Sequence, residues 1–309
     1  MSLFKVLFKT YCGIMHMVIN MNNYLMKALA HNEEVRVFLV NSTSVLNEAI
    51  KRHDVWPSAA SCLGKIITMG LFLGANLKGT EAVTVKYNCN GPIGSIIVDA
   101  DANGNVRGYT EKNHVNFVNN DGGLNEKMTL GEAGFLDVIK DLHLKDFFTS
   151  SIEATGDIAS DFTRYFQESE QTPTLISLGT LMDVNNLALV NGGVLIQLLP
   201  NYTNEAIDYI ESKIDILKKM SSLLQTKTLE EILAMLFDDY EIIYKTDVSF
   251  NCPCNKDRFK KGLLTLNKND LEEILAEDKP IETVCQYCGR KYEFTPEEIK
   301  EILNEKGKH

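Results

Sequence analysis

Positive charge is in the minority in this chain, which limits the partners it can have. The 309 residues include 31 Lys and Arg against 42 Asp and Glu, a net charge of −11. A protein that binds nucleic acid needs a basic surface to neutralise phosphates. The charge balance therefore argues against a nucleic-acid partner.

Cysteine is too sparse for a secreted scaffold held together by disulfides. There are seven in 309 residues, and Cys12, Cys62 and Cys89 stand singly in the sequence, which suits a reducing cytoplasm. A secretory signal is not evident, because the apolar residues 1–20 are broken by charge and lack a small-residue cleavage site. We interpret residues 1–20 as a non-native or overextended start, and we expect a cytoplasmic protein.

Long apolar runs are rare, and one stretch resembles a membrane span. Between Pro57 and Leu77 the single charged residue is Lys65, and Gly70 and Gly74 form a motif that allows close helix packing. Because Lys65 falls inside the stretch and no second stretch of this kind exists, we predict a buried core helix and no membrane partner.

Recognisable catalytic signatures are also missing. The sequence contains no phosphate-binding loop and no nucleophile elbow, and His53 has no nucleophile placed near it by sequence. Residues 99–104 (DADANG) imitate the first half of a calcium loop, but the twelfth position is Thr110 and the flanks resemble strands. We predict packing or capping for His53, a hairpin turn at 99–104, and no enzymatic activity.

The remaining pattern predicts an α+β protein with a β-rich amino-terminal body and packed helices. Alternating or β-branched residues indicate strands, and Ser, Thr or Asp before an apolar period of three to four indicates a helix start. These elements do not alternate regularly, which argues against a doubly wound sheet. The predicted strands are 34–40, 83–87, 93–98, 106–110, 115–118, 147–154, 187–190 and 194–199, with a turn at 191–193 between the last two. The predicted helices of this part begin at Ser42–Ser44, Pro57 and Asp157.

The character of the sequence changes at Pro200. From Thr203 to Tyr240 apolar residues recur every three or four positions, which is typical of helices with one narrow apolar stripe, and Thr228 and Glu231 fit a capping box. Such helices need to dock against another part of the protein. The predicted units are residues 1–20, a body at 21–200, a helical linker arm at 201–249 and a small cysteine-containing domain at 250–309.

Four cysteines in the last sixty residues form the most informative motif. Cys252 and Cys254 flank a proline, Cys285 and Cys288 belong to Cys-Gln-Tyr-Cys-Gly, and thirty residues separate the pairs. Two close pairs joined by a loop long enough to fold back are typical of a four-thiolate zinc site. We predict that all four bind one Zn²⁺, and that Gly289 takes a positive φ in the second turn. The cations expected to offset the excess negative charge are Lys256, Arg258, Arg290 and Lys291.

The spacing leaves the role of the zinc open. A structural site is the ordinary interpretation, but thiolates that hold a metal are also easily oxidised, and each pair can form a local disulfide that releases the ion. A dithiol oxidoreductase is disfavoured because no βαβ unit follows, and a zinc hydrolase because four cysteines close the coordination shell. The alternatives are a redox switch and a structural ribbon in a binding or adaptor protein, for instance at the translation machinery.

The same tail resembles that of a known bacterial family. FNCPCNKDRFKKGLLTLNKNDLEEIL at 250–275 and VCQYCGRKYEFTPEEI at 284–299 are similar to the redox switch of the redox-regulated heat-shock chaperone, the thirty-three-kilodalton chaperonin family. Residues 52–79, 98–109 and 191–200 resemble its amino-terminal body. The resemblance extends over about residues 22–304 and leaves residues 1–20 outside.

This resemblance implies a chaperone that binds unfolding proteins without consuming ATP, a holdase. In such a protein the reduced, zinc-bound form is folded and idle. Oxidants combined with mild heat form two disulfides, here Cys252–Cys254 and Cys285–Cys288, which releases zinc and unfolds the switch domain (250–309) and the linker. The implied partners are unfolding client proteins, a second copy of the chain after oxidation, and ATP-dependent chaperones that receive the clients.

Overall fold

The computed structural model describes residues 23–306, and its strands and helices follow one another without regular alternation. The predicted α+β class is thereby confirmed. Residues 1–20, including Cys12, lie outside the described residues, so the interpretation of this segment as a non-native or overextended start stays a prediction.

The strands form a five-stranded, a six-stranded and a two-stranded sheet. Their bounds are β1 (Tyr24–Ala30), β2 (Val35–Asn41), β3 (Ala82–Cys89), β4 (Ser95–Asp101), β5 (Asn105–Thr110), β6 (Gly134–Asp141), β7 (Phe148–Ala154), β8 (Thr174–Met182), β9 (Ala188–Leu198), β10 (Tyr240–Asp247), β11 (Ser249–Phe250), β12 (Ile281–Val284) and β13 (Lys291–Phe294). The five-stranded sheet has the order β10-β1-β2-β9-β8 and is antiparallel throughout. The six-stranded sheet has the order β11-β5-β4-β3-β6-β7, with β11 parallel to β5 and its other pairs antiparallel.

The described residues also form eleven helices. Their bounds are α1 (Thr43–His53), α2 (Pro57–Gly74), α3 (Glu126–Leu130), α4 (Ile158–Glu168), α5 (Asn204–Ser212), α6 (Ile214–Leu217), α7 (Met220–Thr226), α8 (Leu229–Leu236), α9 (Lys256–Leu263), α10 (Lys268–Ala276) and α11 (Pro296–Lys306). Helices α1, α2 and α4 therefore begin where the sequence predicted them.

Helix α2 is the centre of the body, packed between the two large sheets. It contacts β3, β4 and β5 on one side and β8 and β9 on the other. In the described part of the chain it is the one helix long and apolar enough to cross a membrane, and 89% of that stretch is buried within the protein. Its charged residue, Lys65, is neutralised by Glu126, whose Oε2 lies 2.5 Å from Lys65 Nζ. The predicted core helix is confirmed.

Helices α5 to α8 cover the opposite face of the five-stranded sheet. Their apolar stripe packs on β1, β2 and β9 and forms a second hydrophobic core there. The five-stranded sheet of the body is therefore the surface against which these narrow-striped helices dock. The buried residues of this second core include Met26, Val37, Leu39, Val194, Ile196, Ile210, Leu224, Ile232 and Leu233.

The end of the predicted helical linker arm is a strand. The linker was assigned to residues 201–249, but helices end at Leu236 and residues Tyr240–Asp247 form β10, paired with β1. The segment Tyr-Glu-Ile-Ile-Tyr-Lys-Thr contains aromatic and β-branched residues, which favour an extended conformation over a helix.

The hairpin turn predicted at 191–193 is wrong, because β9 runs through it without interruption. The Asn191 amide is buried, and its Nδ2 donates to Ser42 Oγ at 2.9 Å and to the Gly64 carbonyl at 3.1 Å. At Gly192 a Cβ atom would lie 2.1 Å from the Val40 carbonyl oxygen. These residues permit close packing of strands and helices and make no turn.

The strand predicted at 115–118 is also wrong. The segment is irregular apart from one bridge between Val118 and Leu124. The Val115 carbonyl instead accepts hydrogen bonds from Ala59 N at 3.2 Å and Ser58 Oγ at 3.0 Å. The Val115 carbonyl thus bonds to the amino-terminal turn of α2, where backbone N–H groups have no partner within the helix, and is not available to a neighbouring strand.

Replacement of Gly192 by alanine should destabilise the body, because the added Cβ would overlap the Val40 carbonyl within a paired strand. We expect a loss of about 1–3 kcal/mol in the free energy of unfolding, or more if the strand cannot shift. Urea unfolding of the reduced protein, followed by circular dichroism, measures this change. Gly262→Ala is the matched control, because a Cβ at Gly262 meets no atom within 4 Å. Equal midpoints for the two variants would contradict the assignment.

Candidate metal centre and its contacts with the body

The two cysteine pairs are brought together from two different turns. Cys252 and Cys254 follow β11 and precede α9, which begins after Asn255, whose Oδ1 accepts from Arg258 N at 2.8 Å. Cys285 and Cys288 lie in the turn between β12 and β13.

The second turn is folded by hydrogen bonds to one carbonyl. The Cys285 carbonyl accepts the backbone N–H of Gly289 at 2.8 Å and that of Cys288 at 3.3 Å. Gly289 has φ +69°, the positive value predicted from the sequence. This tight turn places the two sulfurs of the pair on the same side.

The four sulfurs form one compact cluster. All four Sγ atoms lie within 4.8 Å of one another, with Cys252 and Cys285 separated by 3.7 Å and Cys254 and Cys288 by 3.4 Å. A tetrahedral Zn²⁺ with Zn–S bonds of about 2.3 Å has sulfur–sulfur edges of about 3.8 Å. The donor set and its size therefore fit a zinc ion. Among the described residues, these four form the one group of His, Cys, Asp or Glu with this arrangement.

The environment makes the four thiols unequal. Burial tends to raise the pKa of Cys254, but hydrogen bonds from Tyr292 and the neighbouring thiols outweigh it and lower that pKa to about 7. Burial raises the pKa of Cys288 to about 12 and also raises the pKa of Cys285. Cys285 and Cys288 therefore favour the protonated form, so binding of a divalent cation by the cluster must release protons.

The cluster sits against the amino-terminal body. Arg107 on β5 donates from Nη1 to Cys252 Sγ at 3.2 Å, and its guanidinium carbon lies 4.1 Å from the centre of the Tyr287 ring. At the end of α1, Arg52 Nη1 donates to the Cys288 carbonyl at 3.2 Å and His53 Nε2 to the Tyr287 carbonyl at 2.9 Å. The turn between β12 and β13 is therefore attached to both α1 and β5.

Two of the cations expected to offset the thiolates have other partners: Lys256 pairs with Glu298 and Lys291 with Glu282. Arg290 donates to the Cys254 carbonyl at 3.5 Å, and a hydrogen bond with Tyr292 and the negative charge of Cys254 and Cys288 raise the pKa of Arg290. No hydrogen bond or ion pair of the Arg258 side chain is found among the described residues. The cation that contacts a sulfur is Arg107, which the sequence analysis did not identify.

A sequence signal for Arg107 does exist. The turn at Asn103–Gly104 is a hairpin as predicted, with Gly104 at φ +78°. In a hairpin centred there, Asp99 on β4 stands opposite Arg107 on β5, which makes an opposite-charge pair across the two strands. Asp99 Oδ2 accepts from Arg107 Nη2 at 2.7 Å and Nε at 3.1 Å.

Trp56, His53 and Cys62 have structural roles. The aromatic ring of Trp56 stacks on His114, with ring centres 5.0 Å apart. His53 is held against the cysteine domain, and burial lowers its pKa. Cys62 is fully buried in α2, and burial raises its pKa well above the ordinary value. The position of His53 agrees with its predicted packing role.

The cysteine domain has a small apolar core of its own. Its buried members come from α9, α10, β13 and α11, and α11 begins with a capping box formed by Thr295 and Glu298. A core of this size gives little stability to a domain of about sixty residues, so a metal cross-link should matter for its folding. The core residues are Leu263, Leu271, Phe294, Ile299 and Ile302.

Replacement of Cys285 by serine should abolish stoichiometric zinc binding. The substitution removes one of four thiolates and leaves an incomplete shell around the ion. Zinc content after purification, measured by release to a chromogenic chelator, reports the result. Cys89→Ser is the matched control, because Cys89 lies outside the cluster and its Sγ donates to the Gly94 carbonyl. One zinc per chain in Cys285→Ser would contradict the four-ligand site.

Comparison with known proteins agrees with this geometry. The family model described as Hsp33 protein matches residues 23–295. The 33 kDa chaperonins of Bacillus velezensis and Bacillus subtilis are 41% and 40% identical over 287 residues, covering 92% of this chain and 99% of each relative. The crystal structure of the 33 kDa chaperonin of Thermotoga maritima superposes with a TM-score of 0.85 at 29% identity, covering 93% of this chain and all of that one. The chain belongs to the Hsp33 family.

Proposed function

We propose that this protein is a redox-regulated chaperone, a holdase that becomes active when its four clustered cysteines are oxidised. The observation that carries the proposal is the placement of four sulfurs in one zinc-sized cluster at the contact between the cysteine domain and the body. The names of its relatives, 33 kDa chaperonin, support the chaperone class. No enzymatic activity is part of the proposal.

In the reduced state, Cys252, Cys254, Cys285 and Cys288 hold one zinc ion. A zinc ion bound there would offset two of the four thiolate charges and would join two turns that are thirty residues apart in the chain. This cross-link keeps Tyr287 beneath Arg107 and Cys288 beside Arg52, so the domain stays docked on α1 and β5. The linker stripe then remains covered by the five-stranded sheet.

Oxidation should release the zinc ion, because it converts the thiolate ligands into disulfides. Each cysteine pair transfers two electrons to a peroxide: two thiolates, one hydrogen peroxide and two protons give one disulfide and two waters. Disulfide sulfurs carry no charge and are poor zinc ligands, so the ion leaves. We assign the disulfides to Cys252–Cys254 and Cys285–Cys288. The closest sulfurs belong to different pairs, but in a tetrahedron all separations are similar, and neighbours in sequence stay together once the ion has gone.

The weakest parts of the linker should then open first. Strand β11 has two residues, and β10 is an edge strand whose side chains alternate between exposed and half-buried. Release of β10 and helices α5 to α8 would expose the second hydrophobic core, including Met26, Leu39 and Ile232. Exposed apolar surface of this kind binds unfolding proteins. The proposed partners are such clients in the cytoplasm, a second oxidised copy of the chain, and ATP-dependent chaperones downstream.

Suppression of aggregation should depend on oxidation. The measurement is light scattering of a heat-sensitive test protein with this chain added in the reduced, zinc-loaded form, after peroxide at mild heat, or after renewed reduction. We expect suppression only from the oxidised form, because only that form exposes the linker core. Cys62→Ser, which alters a buried thiol outside the cluster, should behave like the unaltered chain. Equal suppression by the reduced and oxidised forms would favour a constitutive chaperone with a structural zinc. Suppression by neither form would favour an adaptor protein.

Hydrogen exchange should show which elements open. After oxidation, we expect amides of β10, β11 and α5 to α8 to exchange at least tenfold faster, while those of α2 stay protected because it is buried between two sheets. Mass spectrometry of peptic peptides resolves these segments, and the same digest identifies the disulfides. Unchanged protection of residues 204–247, or disulfides between the two pairs, would contradict this mechanism.

A further inference from the structure

A body residue 145 positions away in the sequence contacts the cysteine cluster directly. Arg107 Nη1 lies 3.2 Å from Cys252 Sγ, and the arginine side chain is nearly buried, with 10% of its surface exposed. Cys252 is the least buried of the four cysteines. The cysteine with the most exposed surface is therefore the one whose sulfur accepts this hydrogen bond.

The arginine is fixed in place by two residues, one of which is itself supported by a third. Asp99 Oδ2 accepts from its Nε and Nη2, the ring of Tyr287 lies against its guanidinium carbon, and Tyr109 meets the Tyr287 ring edge-on at 5.1 Å. With Nε and Nη2 committed to Asp99, the remaining Nη1 points at sulfur. An arginine held this rigidly loses little conformational freedom when it donates to a thiolate.

We propose that Arg107 is a positioning residue for the redox chemistry of Cys252: it occupies an electron pair of the metal-bound sulfur and attaches the cysteine domain to the body while that sulfur is anionic. This inference rests on the proposed function, since it assigns a role to a residue at the same site. A hydrogen bond to a metal-bound thiolate withdraws electron density from sulfur and slows its attack on electrophiles.

The same contact links the charge of Cys252 to docking. A thiolate accepts a charge-assisted hydrogen bond from the guanidinium, whereas a neutral disulfide sulfur is a weak acceptor. When Cys252 and Cys254 lose two electrons to a peroxide and form a disulfide, with two waters as products, Arg107 keeps its ion pair with Asp99 but loses its partner in the cysteine domain. One body–domain contact is thus specific for the reduced state.

Arg107→Met tests the proposal in the reduced, zinc-loaded protein, because methionine retains most of the chain length and removes the donor. The first measurement is the rate at which each cysteine is alkylated by N-ethylmaleimide, resolved by peptide mapping. We expect Cys252 to react about tenfold to a hundredfold faster, the range for loss of one hydrogen bond to a charged group. Cys285 and Cys288 should change much less. The second measurement is zinc release under peroxide, which should accelerate in parallel.

Two further variants separate positioning from packing. Arg258→Met removes a cation that lines the same cleft beside the cysteine domain, and it should leave the Cys252 rate unchanged. Asp99→Asn leaves the arginine but weakens its orientation, so it should give an intermediate rate if Arg107→Met fails to fold. Arg107→Lys keeps the charge and should restore part of the protection.

The outcomes are distinct. An unchanged Cys252 rate in Arg107→Met, or equal acceleration in Arg258→Met, would overturn the proposal. Equal acceleration at all four cysteines would show that Arg107 only supports docking, which also overturns the positioning role. Because these rates are measured in the reduced protein without clients, they test the role of Arg107 even if oxidation fails to produce holdase activity. Conversely, a redox-activated holdase with an unchanged Cys252 rate would leave the proposed function intact and remove this inference.

Discussion

Mutual repulsion of the four thiolates is the constraint on which the carboxy-terminal part of this structure depends. Four sulfurs lie within 4.8 Å of one another, at the junction of two turns that are separated by thirty residues. Such a cluster is stable as a set of anions only around a cation. The domain that surrounds it has five fully enclosed apolar side chains in its own core, so its folding is linked to the state of those sulfurs. Protonation, metal loss and oxidation therefore all act on the same structural element.

The linker and the cysteine domain contact different parts of the body. The stripe of α5 to α8 lies on the five-stranded sheet, whereas the cysteine cluster lies on α1 and β5. The two are connected by β10 and β11, which belong to different sheets and are joined at the buried Val248. A change at the sulfurs can reach the linker stripe along the chain itself, without direct contact between the stripe and the cluster.

The sequence predicted those elements whose signal is local. The start of α1 after Ser42, the Pro57 helix, the turn at Gly104 and the capping box at Thr228 depend on neighbouring residues, and all are present. The clustering of the four cysteines also followed from spacing, because zinc chemistry restricts how two cysteine pairs can be used. The positive φ of Gly289 followed from the same turn.

Features set by tertiary contact were missed or misread. Asn191 and Gly192 have the composition of a turn, but the approach of Val40 and Gly64 makes them part of a continuous strand. Strands β6 and β8 were not predicted, and β10 was included in the helical linker arm, because their register is decided by the strands beside them. Arg107 was overlooked because nothing near it in sequence indicates that Cys252 will be its neighbour.

The two-residue strand β11 has a kinetic consequence. It is held to the body by backbone bonds that include Ser249 N to the Gly104 carbonyl and Asn251 N to the Val106 carbonyl, both 3.0 Å. An attachment this short opens often, and its opening rate rises steeply with temperature. In the proposed function, this short strand is therefore the place where heat would help an oxidant to detach the cysteine domain from the body.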